Sequence, residues 1–330
     1  FFKGAKWSPD GTMVAAHLED NSLRLYDVSN AVSSFSSKEQ HESAAAVHSC
    51  RSLQTICHGE TLVDYAWYPY MSRYDPALCC LVESTRDHPL HLRDTNSGKV
   101  RASYVAYDSK DVLMTASAVA FSPDAGSILA GYNGSIARFD MQRPGLPVDQ
   151  VATTPTRRSR DGMKGIVSCI AVSPATAPAK MVACGSFSGQ MSLRSLGQLE
   201  ASCIGVWPAP AEYGGRGVTQ LKWSPDGMLL WVASRQSMHI VGWDVRDMRG
   251  PWAVVLRDSL TQQRMGFDLD ATGRHIVAGE MDGCVAFHDI YAEEGQQQRA
   301  RMRMHGDLVS DVCSHPYYPL LATTSGQRHF

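Results

Sequence analysis

The sequence lacks long apolar runs and has no excess of charge of either sign. None of its apolar stretches approaches the roughly 18 residues that a membrane-spanning helix needs, and its first residues do not have the layout of a signal peptide. Its 31 basic and 33 acidic residues give a formal charge of −2. A nucleic-acid site would therefore have to be a local patch rather than the whole surface. We expect no membrane partner.

The cysteines have no spacing typical of a zinc site. There are nine of them, which is an odd number, and most lie inside apolar runs. Reduced, buried thiols of a cytosolic or nuclear protein are therefore favoured over disulfides. His88 and His91 are three residues apart on an alternating strand, where they face opposite sides and cannot share a metal ion. We predict no metal site.

Patterns typical of catalysis are missing as well. Residues 185–189 have the spacing of a nucleophile elbow, but Phe187 stands where the nucleophilic serine belongs. Asp268 and Asp270 point to one face of a strand without a third ligand, and the capping of a turn is their expected role. No glycine-rich phosphate loop precedes a helix. We predict a protein that is not an enzyme and has no cofactor.

A turn sequence is what the chain repeats. Residues 7–11 read Trp-Ser-Pro-Asp-Gly, residues 223–227 repeat this letter for letter, and residues 121–126 contain it with one insertion. Proline fixes φ for such a turn, aspartate bonds its own backbone, and glycine accepts positive φ. Intervals shorten from about 60 to about 45 residues, against roughly 40–45 for one WD40 repeat. The proline or its equivalent recurs at Pro9, Pro69, Pro123, Pro174, Pro225, Ala271 and Pro316.

Each interval contains the same order of predicted strands. An apolar strand precedes the turn, a strand of small and aliphatic residues follows, and a third strand alternates strictly and ends in aspartate, as in residues 23–27. A less regular fourth strand completes the unit. Four antiparallel strands that end in Trp-Asp or a near relative are typical of a WD40 blade. We predict an all-β, seven-bladed WD40 β-propeller; two stacked β-sandwiches would explain the alternation but not the recurring turn.

The propeller is predicted to be a single domain over residues 1–330. Residues 29–50 are rich in Ser and Ala and form a predicted insertion loop, and residues 153–165 form a predicted basic loop. The last copy of the unit ends soon after residues 320–324. We therefore expect the terminal blade to be incomplete and a closing blade to take a strand from the N-terminal side.

One rim of a WD40 ring combines the loops between second and third strands with the loops that join successive blades. In this chain those loops collect arginine, glutamine and aromatic residues from distant parts of the sequence. Arginine binds phosphates and base edges through its planar fork, and aromatic rings stack on bases. The alternative is that each arginine is solvated and paired with a neighbouring aspartate. The candidate RNA-binding residues are Arg86, Arg264, Arg328, Gln327, Gln263, Arg235, Lys6, Tyr65, Tyr132 and Phe187.

Several segments together resemble the telomerase Cajal body WD40 protein family. The Trp-Ser-Pro-Asp-Gly turn is generic to WD40 proteins, whereas the terminal Ser-Gly-Gln-Arg and the Gln-Arg before Phe-Asp-Leu-Asp are specific. The departures are the Ala/Ser-rich insertion, Arg93 where a tryptophan is expected before Asp94, and Arg194 at the comparable place of the fourth blade. The likeness runs from one end of the chain to the other and rests on residues 2–11, 64–68, 101–104, 263–264, 267–270 and 320–328.

This resemblance implies a non-catalytic scaffold that binds RNA. Family members recognise a short GA-containing box in the terminal loops of H/ACA-type small Cajal body RNAs and of telomerase RNA. The implied partners are such RNAs with H/ACA ribonucleoprotein or telomerase components. The implied state is a monomeric propeller within a complex. The implied location is the nucleus, with the cytoplasm as a second location. The arginines would anchor the RNA, while Tyr65, Tyr132 and Phe187 would stack on bases. A WD40 scaffold that binds protein and no RNA is the alternative.

Overall fold

The computed structural model describes residues 1–32, 50–156, 158–159, 161–197, 199, 203–208, 213, 215–293 and 297–328. In each four-stranded sheet the strands are antiparallel and lie side by side in chain order, as in a meander of successive hairpins. Sheet 1 contains β1 (Phe2–Trp7), β2 (Met13–Leu18), β3 (Ser22–Asp27) and β4 (Ser52–Cys57). Sheet 2 contains β5 (Leu62–Trp67), β6 (Cys80–Thr85), β7 (Leu90–Asp94) and β8 (Val100–Tyr104). Sheet 3 contains β9 (Ala118–Phe121), β10 (Ser127–Gly131), β11 (Ser135–Asp140) and β12 (Asp149–Ala152).

The second half of the chain repeats this arrangement and ends in a shorter sheet. Sheet 4 contains β13 (Val167–Val172), β14 (Met181–Ser186), β15 (Gln190–Ser195) and β16 (Cys203–Pro208). Sheet 5 contains β17 (Val218–Trp223), β18 (Leu229–Ser234), β19 (His239–Asp244) and β20 (Ala253–Leu256). Sheet 6 contains β21 (Phe267–Leu269), β22 (His275–Gly279), β23 (Cys284–Asp289) and β24 (Gln298–Arg303). Sheet 7 contains only β25 (Val309–Ser314) and β26 (Leu321–Ser325).

The sheets surround a common channel. A cavity of about 680 Å³ is lined by the ends of the first strand of every sheet and by the turns that follow them. Sheet 7 lies between sheets 6 and 1 and so closes the ring, since β25 packs against β1 on one side and against β21 and β22 on the other. The prediction of an all-β propeller is confirmed. The count of seven blades is corrected, because the described residues form six four-stranded blades and a two-stranded sheet 7.

Apolar side chains fill the spaces between neighbouring sheets. Between sheets 1 and 2, Leu23 and Leu25 pack with Leu62 and Trp67. Trp231 lies between sheets 5 and 6, where it is fully buried. Alternation along each strand places every second side chain on one face, so the inner strands bury residues on both of their faces. The ring is therefore held by hydrophobic contacts from sheet to sheet.

The repeated turn folds on its own polar groups. The Ser8 hydroxyl donates a hydrogen bond to the Asp10 carboxylate at 2.6 Å and accepts one from Met13 N–H at 3.0 Å. Gly11 has a φ of 71°, a conformation that glycine adopts without steric cost. The copy at residues 223–227 repeats these contacts, and the Asp226 carboxylate again accepts a hydrogen bond from the serine hydroxyl. The turn thereby reverses the chain between the first and second strands.

The tryptophan before the turn links neighbouring sheets. Trp7 Nε1 donates to the Cys313 carbonyl of sheet 7 at 3.0 Å, and Trp67 Nε1 donates to the Lys6 carbonyl of sheet 1 at 3.0 Å. Trp223 makes the equivalent bond to the sheet before it, at 3.1 Å. Each indole reaches back to the inner strand of the preceding sheet. The repeated motif therefore serves ring closure.

Two predicted loops fall partly outside the described residues. Residues 29–32 of the predicted insertion form a helical turn, and residues 33–49 lie outside the described part of the chain. Arg157 and Arg160 of the predicted basic loop also lie outside it. Among the described residues, no helix has the length and apolar character that crossing a membrane requires.

Candidate nucleic-acid interface

The upper rim consists of the loops between the second and third strands of each sheet and the connections between sheets; the turns and loops at the opposite ends of the strands form the lower rim. Backbone hydrogen bonds join the two kinds of upper-rim loop. Arg86 N–H donates to the Thr61 carbonyl at 2.9 Å, and Arg235 N–H donates to the Gly217 carbonyl at 3.0 Å. The structure therefore brings loops from distant parts of the sequence to one rim.

Polar side chains of the inner strands bond from one sheet to the next around the channel. In a β-propeller the inner strands of neighbouring sheets do not share a ladder, so their N–H groups need other acceptors. Carboxylate and carboxamide groups supply them. Three such bonds, each 3.0 Å long, have Asp64, Gln220 and Asp268 as acceptors and the N–H groups of Val119, Phe267 and Ser314 as donors.

Asp311 makes the same kind of bond between β25 and β1. Its carboxylate accepts hydrogen bonds from Ala5 N–H at 3.1 Å and from Val312 N–H at 3.0 Å. Glycines make room on both sides, because a Cβ at Gly266 would lie 1.6 Å from Asp311 Oδ1 and a Cβ at Gly4 would lie 2.8 Å from Oδ2. Burial raises the pKa of this carboxyl to about 6. The upper part of the channel therefore contains an acid that gains or loses its charge near pH 6.

Lys6 and Tyr65 belong to the channel wall and the core. Lys6 Nζ lies 2.9 Å from Asp64 Oδ1 and 4.6 Å from the centre of the Tyr65 ring. Tyr65 is 3% exposed, and its hydroxyl donates to the Ala15 carbonyl at 2.8 Å. The prediction that Tyr65 stacks on a base is wrong because its ring is buried between sheets 1 and 2. Lys6 is already paired with Asp64, although its side chain is 43% exposed, and its contact with RNA stays a prediction.

Tyr132 also lies in the core rather than on the upper rim. Its ring is 1% exposed and packs with Val119 and Ile128 in the core of sheets 2 and 3. Burial raises the pKa of its hydroxyl. The prediction that Tyr132 stacks on a base is wrong, because no face of the ring is open to a ligand.

Arg235 and Phe187 form a stacked pair on the upper rim. The guanidinium carbon of Arg235 lies 4.7 Å from the centre of the Phe187 ring, a distance at which a cation and an aromatic face attract each other. Phe187 is 41% exposed. Arg235 is half-buried, and among the described residues its Nε has no hydrogen-bond partner. Burial, followed by the charge of Arg264, lowers the pKa of Arg235, so the structure places these two cations near each other.

Arg264 and Gln263 lie in the connection between β20 and β21. Arg264 is exposed, and in the described part of the chain no carboxylate lies within ion-pair distance of it. Burial alone would raise the pKa of Asp64, but the charges of Lys6 and Arg264 lower it below its usual value. The charge of Arg264 therefore acts on the channel. The Gln263 side chain donates to the Gly326 carbonyl at 3.0 Å and so links this connection to sheet 7.

Arg257 is a functional candidate that the sequence did not indicate. It is 2% exposed, and its guanidinium donates only long hydrogen bonds of 3.3 Å to the Met265 and Gly266 carbonyls. Its Nε has no partner among the described residues. Burial lowers the pKa of Arg257 to about 10, with Asp311 opposing this shift. The signal was absent because Leu256-Arg257-Asp258 has the composition of an ordinary surface loop.

Four upper-rim residues and the buried Arg257 beneath them form one cationic region, which we call the upper mouth: Phe187, Arg235, Arg257, Gln263 and Arg264. The three guanidinium groups have no carboxylate partner within the described ranges. A buried guanidinium cannot lose its proton at neutral pH, so its charge persists in a region of low dielectric constant. The upper mouth therefore has the chemistry to hold an anion and a planar ring next to each other.

The remaining predicted residues lie elsewhere on the upper rim. Arg328 Nε donates to Glu19 Oε1 at 2.7 Å, and Lys3 Nζ lies 2.8 Å from the other oxygen of the same carboxylate. The Gln327 side chain donates to Asp307 Oδ1 at 2.9 Å. Arg86 is exposed on the loop that follows β6. For Arg328 the alternative of a solvated arginine paired with a neighbouring carboxylate therefore describes the structure.

One group of side chains has the spacing of metal ligands. Glu280, Asp282 and Cys284 place one ligand atom each within 4.8 Å of one another. Arg301 occupies their surroundings, since its Nε lies 2.6 Å from Glu280 Oε2 and its Nη2 pairs with Asp282. The two carboxylates share the charge of one arginine, and the group is explained as an ion-pair network.

The chain is similar to curated proteins over its whole length, although no family model matches it. It is 35% identical over 338 residues to the telomerase Cajal body protein 1 of Homo sapiens and 30% identical over 335 residues to its homologue in Drosophila melanogaster. Both alignments cover 100% of this chain and 58% of the relative. The chain belongs to the telomerase Cajal body protein 1 family. It spans somewhat less than three fifths of the length of these relatives.

A further relative comes from Schizosaccharomyces pombe and has a different name. This guanine nucleotide-binding protein negative regulator 1 is 31% identical over 294 residues, which cover 86% of this chain and 69% of the relative. Members of the telomerase Cajal body protein 1 family and this yeast protein therefore share sequence with the described propeller.

Proposed function

We propose that this chain is the propeller of a non-catalytic scaffold that binds RNA at the upper mouth. Its ligand is a short loop box in H/ACA-type small Cajal body RNAs or telomerase RNA, and its work is the assembly or trafficking of those particles in the nucleus. The single observation that supports this most is a set of three guanidinium groups without carboxylate partners, within the described residues, beside an exposed aromatic ring. Membership of a family named for telomerase and the Cajal body supports this choice of RNA class.

The contacts of the upper mouth indicate how a loop nucleotide binds. The Arg235 guanidinium lies over the Phe187 ring, with 4.7 Å from its carbon to the ring centre, and an unstacked base would stack on the other side of the guanidinium. Arg264 is exposed and has two N–H groups in the geometry that a phosphate accepts. Gln263 is fixed by its bond to Gly326 and holds this connection in place. Arg257 contributes positive potential from below without touching the ligand, because it is buried.

A small number of contacts is sufficient for such a ligand. Sequence-specific RNA recognition targets splayed loop bases through stacking and hydrogen bonds, and it needs few phosphate contacts. A formal charge of −2 for the whole chain is compatible with this, since the positive charge is local. Nuclear action with H/ACA ribonucleoprotein or telomerase components is part of the same proposal.

The test compares two arginine pairs that carry the same charge. Arg235→Ala with Arg264→Ala removes the upper mouth, whereas Arg246→Ala with Arg249→Ala removes two exposed arginines after β19 on the lower rim. Binding of a GA-box hairpin and of a hairpin with a scrambled loop is measured by fluorescence anisotropy on full-length protein. We expect the upper pair to weaken GA-box binding at least about thirtyfold, because two charge-assisted contacts are worth about 1–1.5 kcal/mol each. The lower pair changes it less than about threefold.

Two results would contradict the proposal. If both arginine pairs weaken binding equally, with the fold intact by circular dichroism, the upper mouth is not the RNA site. If crosslinking of the endogenous protein recovers protein partners without an enriched class of small RNA, the chain is a protein-binding WD40 scaffold instead.

We also infer that sheet 7 is the inner half of a seventh blade. Its strands have the position and register of the first two strands of the other sheets, and they pack between sheets 1 and 6. The outer edge of β26 has no strand beside it in the described part of the chain, and an open edge recruits further strands. In full-length protein, hydrogen exchange of the β26 amides is expected to be as slow as that of the β2 amides. Exchange at the rate of an exposed edge would contradict a seventh blade.

A further inference from the structure

Exposed tyrosines gather at the lower rim, around the repeated turn of sheet 1. Tyr74 is 91% exposed and Tyr70 is 56% exposed in the connection between β5 and β6. Tyr317 is 68% exposed in the connection between β25 and β26. A single exposed aromatic side chain is ordinary, but several grouped on neighbouring turns form the kind of patch that binds a partner. None of them belongs to the upper mouth, and the proposed RNA site does not use them.

Direct contacts bring the turns of sheets 7, 1 and 2 together. The Arg73 N–H of sheet 2 donates to Asp10 Oδ2 in the turn of sheet 1 at 2.8 Å. From the other side, His315 of sheet 7 lies 3.1 Å from the Gly11 carbonyl, and its ring lies 4.6 Å from the Trp7 ring. Tyr317 follows directly, with its N–H bonded to His315 Nδ1 at 3.0 Å. The two tyrosine-bearing connections therefore flank one turn.

The charges of this surface are acidic. Arg73 is neutralised, because its guanidinium lies 2.6 Å from Asp27 Oδ1. Asp10 and Asp75 have hydrogen bonds from the turns, but no cationic side chain lies within ion-pair distance of either in the described ranges. Aromatic faces attract cations and carboxylates pair with them. Phosphate groups would be repelled by the same carboxylates.

From this we propose that the surface formed by Tyr70, Tyr74, Tyr317, Asp10 and Asp75 docks an extended basic segment of a partner protein. Lysine or arginine side chains of that segment lie over the tyrosine rings and pair with the Asp75 carboxylate. The oxygens of Asp10 are occupied by the turn, so its negative charge attracts these side chains without direct pairing. The backbone of the segment crosses the turn of sheet 1, beside the mouth of the central cavity that Pro9 and Pro316 line. The chain then has two working ends, with RNA at the upper mouth and a cationic peptide at the lower rim.

A random peptide library tests this whatever the identity of the partner. Twelve-residue peptides displayed on phage are selected on immobilised full-length wild-type protein, and binders that also attach to Tyr74→Ser with Tyr317→Ser are subtracted. We expect the recovered peptides to contain at least three times as many lysines and arginines as aspartates and glutamates. Their affinity, measured by fluorescence anisotropy, is expected to fall at least tenfold in the double variant.

Matched controls decide the outcome. Tyr291→Ser changes a tyrosine that is 63% exposed outside the three turns and is expected to leave peptide affinity unchanged. Asp75→Lys is expected to reverse the charge preference of the selected peptides. The proposal is overturned if no peptide is recovered by the subtraction, if acidic peptides dominate, or if Tyr291→Ser weakens binding as much as the double variant. Loss of hairpin RNA binding in the tyrosine double variant would also overturn it, because that result makes the lower rim an RNA surface.

Discussion

The upper mouth and the lower rim lie at opposite ends of one channel and satisfy their polar groups in opposite ways. In the lower-rim turn of sheet 1, the Asp10 carboxylate accepts hydrogen bonds from Ser8, Thr12 and the backbone of Arg73. At the upper mouth, Arg235 and Arg264 have no carboxylate partner among the described residues. The same scaffold therefore consumes its repeated polar residues internally and leaves its unrepeated cations open to a ligand.

This contrast separates architectural residues from functional ones. A residue that recurs in every sheet must meet a need that every sheet has, which here is the turn and the link to the preceding sheet. A ligand that breaks the symmetry of the ring must be bound by residues that do not recur. Arg257 and Arg264 satisfy that condition, whereas Arg235 has a counterpart in Arg86, which follows the second strand of sheet 2 and makes the same backbone bond.

The largest expected effect comes from Gly266, which packs against the Asp311 carboxylate beside the upper mouth. Gly266→Ala places a Cβ 1.6 Å from the buried Asp311 carboxylate, which has no room to move between two sheets. We expect the free energy of unfolding to fall by more than about 3 kcal/mol, measured by denaturant titration of full-length protein. Gly250→Ala is the control, because nothing lies within 4 Å of a Cβ there. Equal denaturation midpoints for the two variants would show that the strands around Asp311 can shift to make room for the added methyl group.

The second effect is a pH dependence of the free energy of unfolding, with opposite signs for Asp311 near the upper mouth and Asp124 on the lower rim. The pKa of Asp311 is raised from 3.8 to about 6 by burial, so the unfolded state releases this proton first as the pH rises. The free energy of unfolding of the wild type, relative to Asp311→Asn, should therefore fall between about pH 4 and pH 6, by up to about 3 kcal/mol.

Asp124 on the lower rim provides the control for this titration. A hydrogen bond from the Ser122 hydroxyl lowers its pKa, so the stabilisation that it provides is present above its unfolded pKa and is lost as the pH falls. Relative to Asp124→Asn, the wild type should gain stability as the pH rises from below pH 4. Both differences are measured by denaturant titration from pH 3 to pH 8. The same sign at both positions would refute the statement that burial raises the pKa of Asp311 in the folded protein.

The architecture was predictable because its signals are local. A turn of five residues with proline, aspartate and glycine fixes where each first strand ends, and the alternation of residues 23–27 and 240–244 fixes the third strand. The expectation of an incomplete terminal blade rested on where the last copy of the unit ends, at residues 320–324. The turn itself could not indicate this, because an incomplete sheet has the same turn as a complete one. The repeated turn therefore indicates where a pair of strands is joined, whereas the number of strands in a sheet depends on the rest of the ring.

The site was predicted less well because its residues are defined by partners that lie far away in the sequence. Lys6 and Asp64 are 58 residues apart and meet across two inner strands, so the sequence presented Lys6 as a free loop cation. Tyr132 follows a short strand, where a rim aromatic is expected, yet its ring fills the space between sheets 2 and 3. Arg257 is the converse case, since its burial depends on the packing of sheets 5 and 6 around it.

A smaller effect sharpens the difference between an aromatic at each end. Phe187→Ala removes the ring beneath Arg235 and is expected to weaken GA-box hairpin binding about five- to tenfold, because stacking contributes roughly 1–3 kcal/mol per base and part of it remains on Arg235. Tyr317→Ala removes a more exposed ring at the lower rim and should leave RNA affinity unchanged. Fluorescence anisotropy on both variants measures this. A greater loss with Tyr317→Ala would exchange the roles of the two ends.

The smallest expected effect concerns Arg328, which the sequence ranked with Arg264. Arg328 is bonded to Glu19, and Glu19 keeps Lys3 as a second partner when the arginine is removed. An exposed ion pair contributes at most about 1 kcal/mol, and its arginine must leave the carboxylate before it can hold a phosphate. Arg328→Ala is therefore expected to weaken hairpin binding less than about threefold, well below the loss from Arg264→Ala. The two variants and their double mutant form a cycle measured by anisotropy. Equal single losses with strong coupling would mean that the RNA extends across sheet 7 and that an ion pair in the free protein does not disqualify an arginine from the site.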